Sequence, residues 1–196
     1  MRVEFDVIKQ WIQPKTRVLD CGCGDGTLLQ ELTNCKDIDG LGIEIDHDDF
    51  NACISKGLSV IDQNLDLGLA NFADKSFDTV VMTLTLQAVR NPDKVLEETL
   101  RVGKQSIVAF PNFAHWSSRL YLLSKGRMPV SKFMPYTWYN TPNIHFCTIK
   151  DFEALCLERG IKILNKEVAC HDARFSLLAK LWPNLFGSMA IYHISH

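Results

Sequence analysis

The chain has 196 residues, of which 46% are hydrophobic, enough for one domain with a buried core, and we expect residues 1–196 to form a single domain. Its formal net charge of −2 lacks the basic excess of nucleic-acid-binding proteins and of proteins that bind anionic membranes. Because no apolar run approaches the ~20 residues of a membrane span, and the charged N-terminus does not resemble a signal peptide, we expect a cytoplasmic protein without a membrane or nucleic-acid partner.

The seven cysteines are an odd number and form no Cys-x-x-Cys pair. We therefore expect reduced, mostly buried thiols. The histidine and cysteine residues also lack the spacing of metal ligands, so we expect no metal site.

The first predicted element is a helix that ends before Pro14. Phe5, Ile8 and either Trp11 or Ile12 recur at helical spacing. This helix is expected at the edge of a ligand pocket, either as ordinary core or as a lid.

A strand, a turn and a helix follow within twenty residues. Residues 17–21 are apolar enough for a strand, Gly22, Gly24 and Gly26 alternate in the turn, and a helix-like run covers 27–33. Glycine permits positive φ and brings backbone N–H groups close to a ligand. The pattern is typical of the first unit of a parallel α/β sheet with a nucleotide-type pocket.

Charge and spacing favour one ligand class for this turn. Thr27 stands where a dinucleotide fingerprint needs its third glycine, and Asp20 and Asp25 would repel a pyrophosphate. Two carboxylates suit a cationic nucleoside such as S-adenosylmethionine. A dinucleotide site and a merely structural turn remain as alternatives.

The second predicted strand, residues 40–45, carries a candidate ribose ligand. Glu44 lies 22 residues beyond Gly22, near the offset of ~20 residues at which an acid meets ribose hydroxyls. Asp46 is the competing candidate, but we expect its side chain on the opposite face of the strand. A third interpretation is that Glu44 only caps the next helix.

The third predicted strand, residues 58–61, leads to a polar run that would meet an adenine edge. Asn64 could pair with both the exocyclic amine and a ring nitrogen. Such residues are equally common in plain loops, so both interpretations stand.

Two more strands and a helix extend the pattern. Residues 77–82 are nearly all apolar, as expected of a strand buried on both faces, and residues 105–110 are the next predicted strand. Asn91 and Pro92 open the helix between them. Its predicted inner face consists of Val95, Leu96, Thr99, Leu100 and Val102. Strands that alternate with helices in this way predict an α/β fold with a doubly wound sheet.

The segment 111–147 interrupts this alternation and is rich in aromatic residues. We expect it to be irregular and to serve a small polar substrate or a protein partner, with a second small core as the alternative. The candidate substrate or partner residues are Trp116, Arg119, Tyr136, Trp138 and Tyr139.

The sequence of the C-terminal part predicts a capped helix and a closing pair of strands. Thr148 and Asp151 form an acidic variant of a capping box, and Gly160 ends the helix. Residues 161–168 and 190–194 are the expected strands. Between them, 175–186 is a strongly apolar stretch that either covers the sheet edge or binds a partner.

The glycine turn, Glu44 and the strand beginning Phe77-Asp78 resemble the class I S-adenosylmethionine-dependent methyltransferase superfamily. More closely, the chain resembles the methionine-biosynthesis protein W (MetW) family over nearly its whole length. The stretches that carry this resemblance are VLDCGCGDG (18–26), LTLQAV (84–89), FPNFAHW (110–116), GRMPV (126–130) and WYNTPNIH (138–145).

The resemblance implies a three-layer, Rossmann-like methyltransferase fold whose seven-stranded sheet has one antiparallel strand near the C-terminus. It implies an S-adenosylmethionine or S-adenosylhomocysteine site. The candidate cofactor-binding residues are Asp20, Gly22, Gly24 and Gly26 at the turn, Glu44 at the ribose, Asn64 and Leu65 in the region beside the adenine, and also Ile45 and Thr83. Many superfamily members have an acid where Asn64 stands.

The resemblance also implies a role in methionine biosynthesis beside a homoserine O-acyltransferase, as its partner and activator, and we prefer this function. The alternative is methyl transfer to a small molecule, in which His115 or His145 could act as the base. Neither histidine stands in a catalytic motif, and no methyl acceptor is implied.

Overall fold

The computed structural model describes residues 3–131, 134–170 and 176–196. The strands are Arg17–Cys21 (β1), Asp39–Glu44 (β2), Ser59–Asp62 (β3), Phe77–Thr83 (β4), Gly103–Pro111 (β5), Lys162–Ala169 (β6) and Met189–Ser195 (β7). The helices are Val3–Trp11 (α1), Thr27–Lys36 (α2), His47–Ser55 (α3), Pro92–Val102 (α4), Trp116–Lys125 (α5), Ile149–Glu158 (α6), Ser176–Leu181 (α7) and Pro183–Phe186 (α8), with a short 3₁₀ helix at Leu65–Leu67.

The strands form one seven-stranded sheet in the order β3-β2-β1-β4-β5-β7-β6. Neighbouring strands from β3 to β5 pair in parallel, and β7 pairs antiparallel with both β5 and β6. This arrangement confirms the predicted α/β fold with its antiparallel strand near the C-terminus. The strand order reverses beside β1, which is where open parallel sheets place their ligands.

Two apolar cores lie on the two faces of the sheet. Successive residues of a strand point to opposite faces, so Val80 packs in one core and Val81 in the other. Helices α1 and α2 cover the face of Val81, and α4 and α6 cover the face of Val80. The five predicted inner residues of α4 are all buried.

Local sequence signals account for the starts of α6 and α4. Thr148 and Asp151 form the predicted capping box of α6, with both reciprocal bonds present. Asn91 takes the N-cap position of α4, but its side chain makes no capping hydrogen bond. There Pro92 begins the helix, since its missing N–H would have had no helical partner.

Helix α1 confirms the predicted spacing. Phe5, Ile8 and Ile12 are buried, whereas Trp11 is half-buried and its ring stacks on His193 with 5.6 Å between centroids. The helix therefore packs through Phe5 and Ile8, Ile12 continues this face just beyond its end, and Trp11 adds an aromatic contact to β7.

The aromatic segment is not irregular throughout, because α5 occupies ten of its residues. Ser118 is the buried residue of this helix, whereas Leu120 and Leu123 are exposed. A helix without an apolar face toward the core gives no periodic signal in the sequence. Phe133 of the aromatic segment and Phe175, the first residue of the apolar stretch, lie outside the described residues.

The remaining boundaries differ from the predicted ones by one residue or a few. Strands β2 and β3 are shifted by a single residue from 40–45 and 58–61, and α2 continues three residues beyond 33. Within the described ranges, no helix has the length and apolar content needed to cross a membrane.

Candidate functional site

The turn between β1 and α2 has the backbone that its glycines predict. Gly22, Gly24 and Gly26 have φ values of 73°, 54° and 75°, a region that favours glycine. The backbone N–H groups of Gly22 and Cys23 donate to the carbonyl oxygen of Ile43, at 2.8 and 3.1 Å. The turn is thus fastened to the end of β2.

Glu44 holds the same region together from β2. Its Oε2 accepts the N–H of Gly24 at 2.7 Å, and its Oε1 accepts the N–H groups of Ile45 and Asp46 at 2.8 and 2.9 Å. The side chain is 8% exposed. Each carboxylate oxygen can accept more than one hydrogen bond, so a ligand hydroxyl remains compatible with these contacts.

The competing candidate, Asp46, has a different task. It lies beyond the end of β2 as the N-cap of α3, where its Oδ1 accepts the N–H groups of Asp48 and Asp49 at 2.9 and 3.2 Å. The expectation from strand alternation does not apply to a residue outside the strand. Asp46 rather than Glu44 caps the helix.

A cleft opens at the carboxyl ends of the strands, around the glycine turn. It comprises a cavity of about 450 Å³ and an adjoining one of about 210 Å³. Both are lined by Gly22, Gly24, Asp49, Thr83 and Leu84. The larger cavity extends along the ends of β2 and β3, and the smaller one lies between the glycine turn and α1.

The lining of the cleft is acidic. Asp20, Glu44, Asp49 and Asp66 belong to it, and no lysine, arginine or histidine is among the described residues that line either cavity. Burial, with Glu44 and other carboxylates nearby, raises the pKa of Asp49. A cation is therefore favoured in the cleft and a phosphate is disfavoured.

Asp20 is an unusual carboxylate within this lining. It is 2% exposed, and its Oδ1 has no hydrogen-bond partner in the structure. Burial, with the charge of Glu44 as a second cause, raises the pKa of Asp20 to about 7. A buried polar group without a partner is costly, and a ligand cation in the smaller cavity would compensate it.

Asp25, which the sequence analysis grouped with Asp20 as a second acid of the turn, has hydrogen-bond partners that balance its charge. It accepts hydrogen bonds from the N–H and Oγ1 of Thr27 and from Lys56 Nζ, the last at 2.8 Å. These bonds lower the pKa of Asp25 to about 2. Its charge is already balanced, so the acidity of the cleft depends on the other carboxylates.

Most predicted cofactor-binding residues meet at the cleft. The larger cavity is lined by Gly22, Gly24, Glu44, Ile45, Asn64, Leu65 and Thr83, and the smaller one by Asp20. Gly26 lines neither cavity. A Cβ there would collide with Leu58 and with the Sγ of Cys53 at 2.8 Å, so this glycine serves the packing of the turn against α3.

Several lining residues were not predicted from the sequence. Leu84 and Thr85 directly follow β4, and Leu84 has the unusual φ of 59°. Because ligands of open α/β sheets bind at the carboxyl ends of the strands, the position of these two residues after β4 could have identified them as lining residues. Pro142 and Asn143 come from the aromatic segment, more than fifty residues further along the chain, and carry no such signal.

The structure brings neither candidate histidine into the cleft. His115 is the N-cap of α5, and its Nδ1 lies 2.7 Å from Ser117 Oγ; burial lowers its pKa. His145 is exposed, with its Nε2 3.3 Å from the carbonyl oxygen of Arg90. Among the described residues, no group of histidine, cysteine or acidic side chains could hold a metal ion.

The predicted substrate or partner residues lie outside the cleft lining. Tyr136, Trp138 and Tyr139 are 45%, 75% and 73% exposed. The ring of Trp116 packs 5.8 Å from that of His115, and Arg119 Nε donates to the carbonyl oxygen of Ala114 at 2.6 Å. Tyr136, Trp138 and Tyr139 are thus exposed at the surface, and the assignment of the five residues to a substrate or a partner stays a prediction.

The model of one protein family, described as methionine biosynthesis protein MetW, matches residues 2–194. The chain belongs to the MetW family. This result confirms the resemblance stated from the sequence, including its extent over nearly the whole chain.

The name of one curated relative includes the family name MetW. The bifunctional methionine biosynthesis protein MetXA/MetW of Rhodopirellula baltica is 35% identical over 177 residues, which cover 86% of this chain. The match covers 28% of that protein, so the chain corresponds to a minor part of the relative's length.

Solved structures share the fold at low sequence identity. An S-adenosylmethionine-dependent methyltransferase from Mesorhizobium loti has a TM-score of 0.71 at 14% identity, with 98% of this chain and 97% of that chain covered. A second such enzyme, from Archaeoglobus fulgidus, has a TM-score of 0.68 at 17% identity, with 98% and 94% covered. The chain therefore has a methyltransferase fold.

Proposed function

We propose that the cleft binds S-adenosylmethionine or S-adenosylhomocysteine. The observation that carries this proposal is the buried Asp20, whose Oδ1 lacks a partner in a cleft without a basic residue among its described lining. Both compounds have an ammonium group and a nucleoside, and S-adenosylmethionine also has a sulfonium. The structural relatives are enzymes that use this cofactor.

The lining residues divide according to the parts of the cofactor they suit. Glu44 Oε2, which accepts a single N–H from the described residues, would accept one ribose hydroxyl in a charge-assisted hydrogen bond. Ile45, 56% exposed at the cleft, offers an apolar surface to the adenine ring. Asn64 Oδ1 already accepts the N–H of Asp66 at 2.9 Å, which leaves its NH₂ group to donate to a ring nitrogen.

We further propose that the chain acts in methionine biosynthesis as partner and activator of a homoserine O-acyltransferase. The support is the Rhodopirellula relative, whose name joins MetXA and MetW in one bifunctional protein. Two proteins that work in contact can be fused in this way without loss of that contact.

The aromatic segment offers a route from the cleft to a partner. Pro142 and Asn143 line the cleft, and the next two backbone N–H groups, of Ile144 and His145, both donate to the carbonyl oxygen of Gln87. A ligand against this wall would bias the position of the aromatic segment before it, to which helix α5 also belongs. Coupling of this kind is reciprocal, so the partner would alter the cofactor affinity by the same factor.

Methyl transfer to a small molecule is the second candidate function, and the fold favours it. In that reaction the acceptor takes the methyl group from the sulfonium, S-adenosylhomocysteine leaves, and a base removes the acceptor's proton. The positions of His115 and His145 outside the cleft lining speak against either as that base.

One experiment separates the two functions. Acyl transfer by the homoserine O-acyltransferase is measured with and without this chain, and S-adenosylhomocysteine release is measured separately on pathway metabolites. We expect faster acyl transfer and no S-adenosylhomocysteine release. Cofactor turnover without an effect on acyl transfer would instead establish the methyltransferase.

A further inference from the structure

A second groove lies on the side of the sheet edge formed by β6, away from the cofactor cleft. It has a volume of about 380 Å³. It is bounded by α5, the first turns of α6, strand β6 and the connection from α7 to α8, and its lining residues are Arg119, Ile149, Lys150, Glu153, Lys166, Leu181, Trp182, Pro183, Asn184 and Leu185.

The charge of this groove is opposite to that of the cleft. Its single acid, Glu153, is balanced, because its Oε1 accepts from Lys166 Nζ at 2.5 Å and from the Tyr192 hydroxyl at 2.9 Å. Arg119 and Lys150 form no ion pair with any carboxylate in the described ranges. Two positive charges therefore remain available in a chain whose net charge is −2.

An apolar wall stands beside these two cations. Leu181 and Trp182 are 69% and 57% exposed, which is high for side chains of this kind, and Leu185 continues the wall into the groove. Large exposed apolar groups next to charged residues mark interaction sites rather than ordinary surface. Tryptophan and arginine are also the residue types that contribute most to protein interfaces.

One buried side chain outside the groove lining, Asn112, connects the elements that bound the groove. Its Nδ2 donates to the carbonyl oxygens of Asn184 and Gly187, at 3.1 and 2.8 Å, and its Oδ1 accepts the N–H groups of Ala114 and Ile149, at 3.2 and 3.4 Å. These four bonds tie α5, α6 and α8 to the end of β5. The groove is thus preformed, which lowers the entropic cost of binding.

We infer that this groove binds an acidic segment of the homoserine O-acyltransferase that carries a large apolar side chain. The carboxylates would pair with Arg119 and Lys150, and the apolar group would cover Trp182. The inference rests on the proposed function and adds the surface at which the two proteins meet. It places that surface on the groove and not on Trp138 and Tyr139 of the aromatic segment.

The first test reverses the two charges. Binding of the acyltransferase is measured by calorimetry for the wild-type chain and for the double variant Arg119→Glu/Lys150→Glu. The matched control is Lys125→Glu/Lys162→Glu, which changes the net charge equally at exposed residues of α5 and β6 outside the groove lining. We expect the groove variant to bind at least tenfold more weakly and the control to bind within about twofold of wild type. Thermal unfolding of both variants is measured to verify that each is folded at the temperature of the titration.

The second test addresses the apolar wall. Trp182→Ala should weaken binding at least tenfold, and Trp138→Ala, an equally large truncation on the aromatic segment, should not. Wild-type affinity should also fall between 50 and 300 mM salt, with a shallower dependence in the double variant.

The outcomes distinguish the proposed partnership with the acyltransferase from the proposed role of the groove as its binding surface. If the wild-type chain does not bind the acyltransferase, both the proposed partnership and the groove are overturned. If it binds and the groove variants bind equally well, or if Trp138→Ala alone abolishes binding, the partnership stands and the groove is wrong.

Discussion

The backbone N–H of Gly24 donates to the carboxylate of Glu44 at 2.7 Å, which joins the glycine turn after β1 to the end of β2. The residue proposed to bind the ribose therefore also shapes the turn proposed to hold the rest of the cofactor. Loss of Glu44 removes three backbone contacts and, with them, the proposed ligand contact.

Glu44→Ala should weaken the binding of S-adenosylhomocysteine by ~1.5–3 kcal/mol, the contribution of a charge-assisted hydrogen bond, or by more if the turn also shifts. Titration calorimetry measures this directly. Asp46→Ala is the control, because it removes the cap of α3, at a cost of about 1 kcal/mol in stability, without removing a residue that lines the cleft. An affinity unaffected by Glu44→Ala would remove this residue from the site.

Asp20→Asn should stabilise the ligand-free chain in a pH-dependent way. Since burial raises the folded-state pKa of Asp20 to about 7, from an ordinary 3.8, the folded chain holds a proton that the unfolded chain loses between these values. The free energy of unfolding of the wild type consequently falls as the pH rises through this window. The stability advantage of Asp20→Asn should be about 3 kcal/mol larger at pH 8 than at pH 4.5.

Urea denaturation of the two proteins at both pH values tests this expectation. Asp25 is not a confounding group, because its pKa of about 2 shifts its contribution to more acidic conditions. The same advantage at pH 4.5 and pH 8 would contradict a raised pKa for Asp20.

Gly26→Ala should destabilise the chain more than Gly57→Ala does. Both glycines have similar φ values, 75° and 72°, so both substitutions incur the cost of about 1–2 kcal/mol for a Cβ at positive φ. At Gly26 the new Cβ also collides with Leu58 and Cys53, whereas at Gly57 no atom lies within 4 Å. Overpacking adds about 1–3 kcal/mol at Gly26 alone. Equal losses of unfolding free energy in chemical denaturation would show that α3 moves enough to accommodate the added methyl group.

Asn112→Ala should cost about 2–4 kcal/mol of unfolding free energy, because it leaves several buried backbone groups without partners. Asn112→Asp should not rescue the loss, since a carboxylate cannot donate to the carbonyl oxygens of Asn184 and Gly187. Asn140→Ala is the matched control: its side chain accepts only from Thr137 in an exposed turn, and the expected loss is below about 1 kcal/mol. Similar losses at positions 112 and 140 would mean that the four bonds of Asn112 are dispensable.

Sequence patterns predicted the parts of the fold whose signals are local. The inner face of α4 and the capping box at Thr148 and Asp151 depend on residues three or four apart, and the structure has both. Helix α5 was missed because its apolar residues face solvent, so the rule that links apolar spacing to helices had nothing to detect.

The site was predictable where a residue stands at the end of a strand, as Glu44 does. It was not predictable where distant parts of the chain meet. The neutralisation of Asp25 by Lys56 needs the fold to bring α3 beside the glycine turn, and the contribution of Pro142 needs the aromatic segment to return to β4. Gly26 belongs to the same glycine turn as Gly22 and Gly24, and the sequence of the turn does not tell which of its glycines line a cavity and which allow close packing.

The position of β7 has a consequence for synthesis on the ribosome. Of the seven described strands it is the last to be made, yet it lies between β5 and β6 and is buried along most of its length. A nascent chain that has not reached residue 189 exposes the unpaired edge of β5 and leaves β6 without a neighbour. Such an intermediate is open to strand addition by other chains until the final strand pairs with β5 and β6.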